Sequence, residues 1–308
     1  QSSDITIASG ASLNFGFNAT FGNNTAVINV SGTGASGLGA VRSSTSTNTI
    51  TNNFILNGDT TFGGATNYVI NGVISDGGNG YSLTKIGAGT LSLGGSNTFT
   101  GATLINVGTL NLTNANALGS GSNKSSSITV AATGAALGLN FTTNTLANDN
   151  DITLNGTGIA SAGALVASTS TDTLNNSIIL GSNTTIGGAS SMILNGTITD
   201  NGNGFSLTKV GAGTTTLNAA NTYSGGTTIN TGTLNLLNAN ALGTTGNIAV
   251  NNAAVLSLNL GGNTLANTNT ITLSNTAGLT NTVAAGLIDT LDNLIVLNGT
   301  HSITSSAS

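Results

Sequence analysis

The sequence contains no cysteine, no proline, no tryptophan and no glutamate in 308 residues. Without cysteine there is neither a disulfide nor a thiolate-held metal. Charge is scarce as well. Four Lys or Arg and nine Asp make up 4% of the chain, against about 25% in ordinary globular domains. Together with a mean hydropathy of +0.23, this excludes a charge-swollen disordered chain. Arg42, Lys85, Lys124 and Lys209 are too few for a phosphate-binding stripe, so nucleic acid is not an expected partner. The same shortage argues against attraction to anionic lipid. No apolar run approaches the roughly 18 residues of a membrane-crossing helix, and no membrane insertion of this segment is expected. The chain opens at Gln1 in polar sequence, so no leader is expected in it, although a leader already removed would leave the same start.

Asn, Thr, Ser and 45 Gly take the place of the missing types, and they are arranged in a long internal echo. Residues 81–112 read YSLTKIGAGTLSLGGSNTFTGATLINVGTLNL, and residues 205–236 read FSLTKVGAGTTTLNAANTYSGGTTINTGTLNL. Lys85 matches Lys209, Phe99 matches Tyr223, and Leu118 matches Leu242, each 124 positions on. Gly32-Thr33-Gly34 returns as Gly156-Thr157-Gly158 at the same shift. A partial third copy follows at shifts of 119 and 117: Asn144 to Asn148 returns as Asn263 to Asn267, and Leu174-Asn175-Asn176 as Leu291-Asp292-Asn293. The copies run over about 5–127, 128–247 and, incompletely, 248–308, with no linker between them. One architecture laid down in series is expected, as a single continuous solenoid over residues 1–308.

Period-two alternation dominates, as in Thr90-Leu91-Ser92-Leu93, Leu110-Asn111-Leu112 and Ile271-Thr272-Leu273. Short strands with one buried face follow. Turn pairs such as Asn57-Gly58, Asn71-Gly72 and Asn195-Gly196 separate them. Only Asn114–Leu118 and its twin Asn238–Leu242 suggest a helical turn, at a corner. Sandwiches and barrels need long-range hairpin pairing, whereas in-line copies with stackable Asn and Thr favour an all-β parallel β-helix, or β-solenoid. Rungs of 20–25 residues, spaced about 4.8 Å, give an elongated rod roughly 60–70 Å long. Leu93 and Leu217 should both point inward.

GAGTLSL, NTFTG and TLINVGTLNL, followed by Asn114 to Gly119, resemble the autotransporter-associated β-strand repeat. The second copy matches through Lys209 to Thr214, Asn221 to Gly226 and Ile229 to Leu236. The strong likeness covers about 40 residues per copy. It implies a right-handed parallel β-helix, displayed outside the cell after export through an outer-membrane barrel, with passenger stability assisting export. No alternating aromatic strands of such a barrel occur in this sequence, so the chain is expected to be a piece of a longer polypeptide or a borrower of the repeat.

Candidate chemistry is thin. Asp76 and Asp200 are twins, each leading a Gly/Asn turn. A carboxylate plus loop carbonyls suits calcium, but each turn offers one carboxylate, and capping of the turn explains it as well. Asp149 and Asp151 are not repeated, and Asp289 and Asp292 are expected to be solvated. His301, the sole histidine, has Ser302 beside it and Asp289 and Asp292 upstream, a formal Ser-His-Asp set without a nucleophile elbow; a surface histidine is expected. Gly32 to Gly37 spells GxGxxG, yet the Ser/Thr/Asn run at 42–48 is not the helix that a dinucleotide loop must open. Thr45 to Thr49 is too irregular for an ice-binding face. Lys85 and Lys209 are read as orienting a turn or facing solvent, and Tyr81, Phe205, Phe99 and Tyr223 as core or stacking aromatics rather than sugar platforms.

No catalytic, cofactor-binding or metal-ligating residue is therefore expected. The reading is a non-enzymatic extracellular stalk of an autotransporter-type surface adhesin, its receptor open. The alternative is a subunit of an extracellular filament. Further rungs of the same polypeptide, or other copies of the chain, are its expected end-to-end partners.

Overall fold

The computed structural model describes residues 4–16, 19–22, 25–45, 47–131, 133–141, 145–243, 245–282, 284 and 287–305. Ser46 of the Thr-rich run and Asn144 of the third-copy echo lie outside them. The described residues contain many short strands and no α-helix; three-residue 3-10 turns occur at Ala35–Gly37 and Ile159–Ser161. Residues 1–152 and 153–308 form two compact units, and each is a parallel β-solenoid in its own right.

In the first unit, Leu83–Lys85 lies between Thr60–Phe62 on one side and Thr103–Ile105 on the other, all parallel. Ile128–Val130 adds the next rung. A second stack runs Asn48–Ile50, Tyr68–Ile70, Thr90–Leu93, Gly108–Leu112 and Ala135–Leu139. The second unit repeats this scheme 124 residues on. Leu207–Lys209 sits between Thr184–Ile186 and Thr227–Ile229. Met192–Leu194, Thr214–Leu217, Thr233–Leu236 and Val255–Leu258 form its other stack. Twin residues hold equivalent rung positions: Leu93 pairs with Ile70 and Leu112, and Leu217 with Leu194 and Leu236.

Rung length varies more than expected. Paired positions lie 20 residues apart at Leu83 and Thr103, but 27 apart at Leu110 and Leu137 and 28 apart at Leu13 and Val41. The ladder fixes only the strands, and the loops between them are free to lengthen outward. One such excursion, Gly119–Ser120 with Asn123–Lys124, closes as a small antiparallel ribbon.

The alternation in sequence becomes the inside and outside of each coil. Leu91, Leu93, Leu110 and Leu112 are fully buried, as are Leu234 and Leu236, with Leu217 at 1% exposure. Phe99 and Tyr223 are core residues, as expected, whereas Tyr81 and Phe205 are only half-buried. Asn114–Leu118 is a corner of successive turns: Asn114 Oδ1 accepts from Asn116 N–H at 2.8 Å, and its carbonyl accepts from Ala117 N–H at 3.0 Å. The twin corner repeats this at Asn238, with Asn240 and Ala241 as donors. Gly32 to Gly37 is likewise a turn, closed by Gly37 N–H on Gly34 O and Leu38 N–H on Ala35 O.

Candidate functional site

The charged residues singled out in the sequence lie within these coils. Asp76 follows the short strand Ile74–Ser75, and its carboxylate folds back over the turn that comes next. Oδ1 accepts from Gly78 N–H at 2.9 Å; Oδ2 accepts from Tyr81 N–H, Thr100 N–H and Thr100 Oγ1. Thr100 belongs to the next rung, so one side chain closes its own turn and pins the neighbouring coil. Asp200 does the same with Gly202, Phe205 and both donors of Ser224. Burial alone pushes both carboxyls up, but the Thr100 or Ser224 donors and the turn N–H groups outweigh it. Asp76 is held below the usual carboxylate range, and Asp200 is lowered to about 2. Donors rather than oxygens surround each carboxylate, which is the polarity of a turn lock and the reverse of a calcium cage.

Lys85 and Lys209 form the opposite arrangement. Lys85 is fully buried and Lys209 is 1% exposed, so the turn-orienting reading holds and the solvent-facing one does not. Lys85 Nζ donates to Ile86 O, Gly87 O and Val107 O at 2.8, 2.7 and 3.1 Å. Lys209 Nζ donates to Val210 O, Gly211 O and Thr231 O at 2.8, 2.8 and 3.2 Å. Each ammonium thus uses its three protons on carbonyls of two successive turns. Burial pushes both lysines down to about 8.

Glycine is required at the same place. At Gly108, with φ at 78°, an added Cβ would lie 2.2 Å from Gly87 O and 2.7 Å from Lys85 Nζ. Gly232, at φ 69°, meets Gly211 O and Lys209 Nζ in the same way. The Lys-x-Gly-Ala-Gly block and the later Gly of each copy are therefore one device, a closely stacked corner locked by an internal ammonium.

The remaining candidates do not assemble. His301 is half-buried, not a surface side chain, and neither ring nitrogen has a hydrogen-bond partner. Ser302 is exposed, Asp292 is exposed, and Asp289 bonds elsewhere. Asp289 is not simply solvated: it accepts from Leu260 N–H at 2.8 Å and Gly262 N–H at 2.7 Å. Asp149 pairs with Lys124 at the surface. Among the described residues no three His, Cys, Asp or Glu cluster as a metal site. Sequence reasoning missed Asp172, buried where the first copy has Asn48; no motif surrounds it.

It also missed a pair of surface grooves. One, of about 330 Å³, is lined by Leu38, Arg42, Ser44, Ala65, Ile86, Ala88 and neighbours. The other, of about 490 Å³, is lined by Ala162, Val166, Ser168, Ala189, Val210, Ala212 and neighbours. These are the same positions moved by 124, a relation visible only once the structure shows which turns stack.

Residues 83–116 and 207–236 match the family model of the passenger-associated-transport-repeat. Both matches begin at the strand bearing the buried lysine and take in the glycine corner and the aromatic pair. No curated protein and no solved structure matches the chain.

Proposed function

We propose that this chain, an autotransporter passenger domain built on passenger-associated transport repeats, is a non-enzymatic structural stalk of an extracellular bacterial adhesin. The observation that supports this reading is the use of the interior charges. Asp76, Asp200, Lys85 and Lys209 have their hydrogen-bonding capacity taken up by the main chain of adjacent turns. Groups held in this way stiffen a coil and are not available to a substrate. The outer face is mostly neutral Asn, Thr and Ser, suited to a spacer that avoids charge-driven adhesion.

The test is surface delivery. The chain is fused ahead of an outer-membrane translocating barrel in a Gram-negative host, and the externally protease-accessible fraction is measured. The wild-type chain should reach the surface intact, and Asp200→Asn should arrive in smaller amount because its coils are less stable. Retention inside the cell despite a functional barrel overturns the reading. So does turnover of a polysaccharide by the purified chain.

A second reading, a filament subunit, draws on Leu294, on Leu297 in the strand Ile295–Gly299 and on Ile303 in the strand Ser302–Ser305, which are 67%, 52% and 57% exposed. Exposed apolar side chains of this kind favour association with a further coil. Electron microscopy of the purified chain distinguishes the two, with fibres of fixed repeat supporting the filament and monomers supporting the stalk.

A further inference from the structure

The two grooves are alike in position and different in chemistry. Leu38 in the first becomes Ala162 in the second, Arg42 becomes Val166, Ser43 becomes Ala167 and Ile86 becomes Val210. The first groove is smaller and has the Arg42 guanidinium among its lining side chains. The second is larger and has no charge among its lining residues.

Arg42 is the only arginine in the chain. The other three cations are occupied: Lys85 and Lys209 by carbonyls, Lys124 by Asp149. Arg42 has no such partner among the described residues, and its Nε is covered without any acceptor. No acidic side chain lines the groove beside it. Behind the wall, Lys85 Nζ sits against the carbonyls of Ile86 and Gly87, both groove residues. In a chain of formal charge −5, this corner is locally positive. Leu38 is 52% exposed, and Ala65 and Ala88 are exposed beside it. The site therefore offers a planar fork for a carboxylate next to an apolar shelf.

We infer that the groove at Leu38, Arg42, Ala65 and Ala88 is a binding site for a small organic carboxylate with an apolar body. Its carboxylate bonds the Arg42 guanidinium, and its hydrocarbon covers Leu38, Ala65, Ala88 and Ile86. The volume is within the range of small-ligand sites. The twin groove lacks the fork and serves as a control within the same molecule.

The experiment uses the full chain with labelled alanine methyl groups, titrated with hexanoate and, separately, with the neutral hexanamide. Hexanoate should shift the Ala65 and Ala88 methyls saturably and leave Ala189 and Ala212 unmoved. Hexanamide should bind at least tenfold more weakly. Arg42→Gln, which keeps a stem and a polar end, and Arg42→Val, which copies the twin, should each lower hexanoate affinity at least tenfold without changing the melting temperature. Equal response to hexanoate and hexanamide, equal response of both grooves, an unchanged affinity in Arg42→Gln, or no shift at Ala65 and Ala88 overturns the inference. Surface delivery does not depend on this site, so either proposal can fail alone.

Discussion

In the first copy Asp59 Oδ1 accepts from Ser82 N–H at 2.8 Å; in the second, Asn183 Oδ1 accepts from Ser206 N–H at 2.9 Å. The charge is gone and the bond is unchanged. At Asp76 and Asp200 no such exchange has occurred, because both oxygens accept, one of them from three donors. An asparagine there would turn an N–H₂ toward N–H groups. Lys85 and Lys209 are likewise kept, each with its donors used. On the groove walls, where no internal partner constrains the side chain, Leu38 faces Ala162 and Arg42 faces Val166 across the comparison. The two copies thus keep the four interior charges, whose bonds span adjacent turns, while both groove walls and some buried positions such as Ser43 and Ala167 vary.

Twin substitutions are the way to break this comparison, and the largest effects lie in the core. Leu93→Asp and Leu217→Asp should each cost about 3–5 kcal/mol, the penalty of an uncompensated buried charge. Both side chains are enclosed between paired rungs. Urea unfolding of each variant measures it, and a copy that tolerates the aspartate would show the two interiors to be unequal.

The turn locks come next. Asp200→Asn should cost about 2–4 kcal/mol, since charge-assisted bonds are lost and donors are left facing donors. Asp59→Asn, which copies the second repeat, should cost less than about 0.5 kcal/mol. The pH dependence has a definite sign. Asp200 is lowered to about 2 in the folded chain, so the unfolded chain binds more protons as acid is added. Its stabilisation is complete above the ordinary carboxylate range and disappears as pH falls through about 2. The difference between wild type and Asp200→Asn should shrink over that interval; a constant difference would mean that the carboxylate charge contributes nothing.

The strands and their inward faces were legible in the sequence because period two survives in short pieces, and Leu91, Leu93, Leu110 and Leu112 needed no context to be placed. The corner at Asn114 and the turn at Gly32 were legible for a similar reason, their bonds being local. Lys85 was not. A lysine beside Gly-Ala-Gly reads equally as solvent-facing, and its third acceptor, Val107 O, is 22 residues away on another rung. The grooves were illegible too, since Arg42, Ala65 and Ala88 meet only because the turns of successive coils stack in one column. Asp289 was misread as solvated because its donors, Leu260 and Gly262, come from an earlier coil.

The lysine cages sharpen the comparison at the alkaline end. Both lysines fall to about 8 when folded, against 10.5 for a free side chain. Between these values the unfolded chain holds more protons, so stability should rise with pH from about 8 toward 10. Above about 10, Tyr68 and Tyr223, raised by burial, oppose this, since only the unfolded chain ionises them. Lys85→Met and Lys209→Met should each remove a similar part of the rise. Urea midpoints at pH 7.5 and 9.5 test it, and an unchanged slope in both variants would show that the carbonyls hold the proton fully against desolvation.

A smaller effect than that of the locks comes from a place where the copies reach one end by two routes. Tyr223 OH and Thr227 Oγ1 pair at 2.6 Å in the core of the second copy. The first copy has Phe99 there and no phenol, and Thr103 Oγ1 pairs instead with Ser125 Oγ at 2.8 Å. A buried hydroxyl needs a partner, and each copy supplies one from a different rung position. Removing it should cost about 1 kcal/mol in either case. Tyr223→Phe strands the Thr227 hydroxyl and Ser125→Ala strands that of Thr103, although Ser125 also donates to Gly101 O and should cost somewhat more. The double variant Tyr223→Phe with Thr227→Val removes both members of the pair and should recover most of the loss. If the double variant is no more stable than Tyr223→Phe alone, the phenol is held by packing rather than by its bond to Thr227, and the two copies are not solving the same problem.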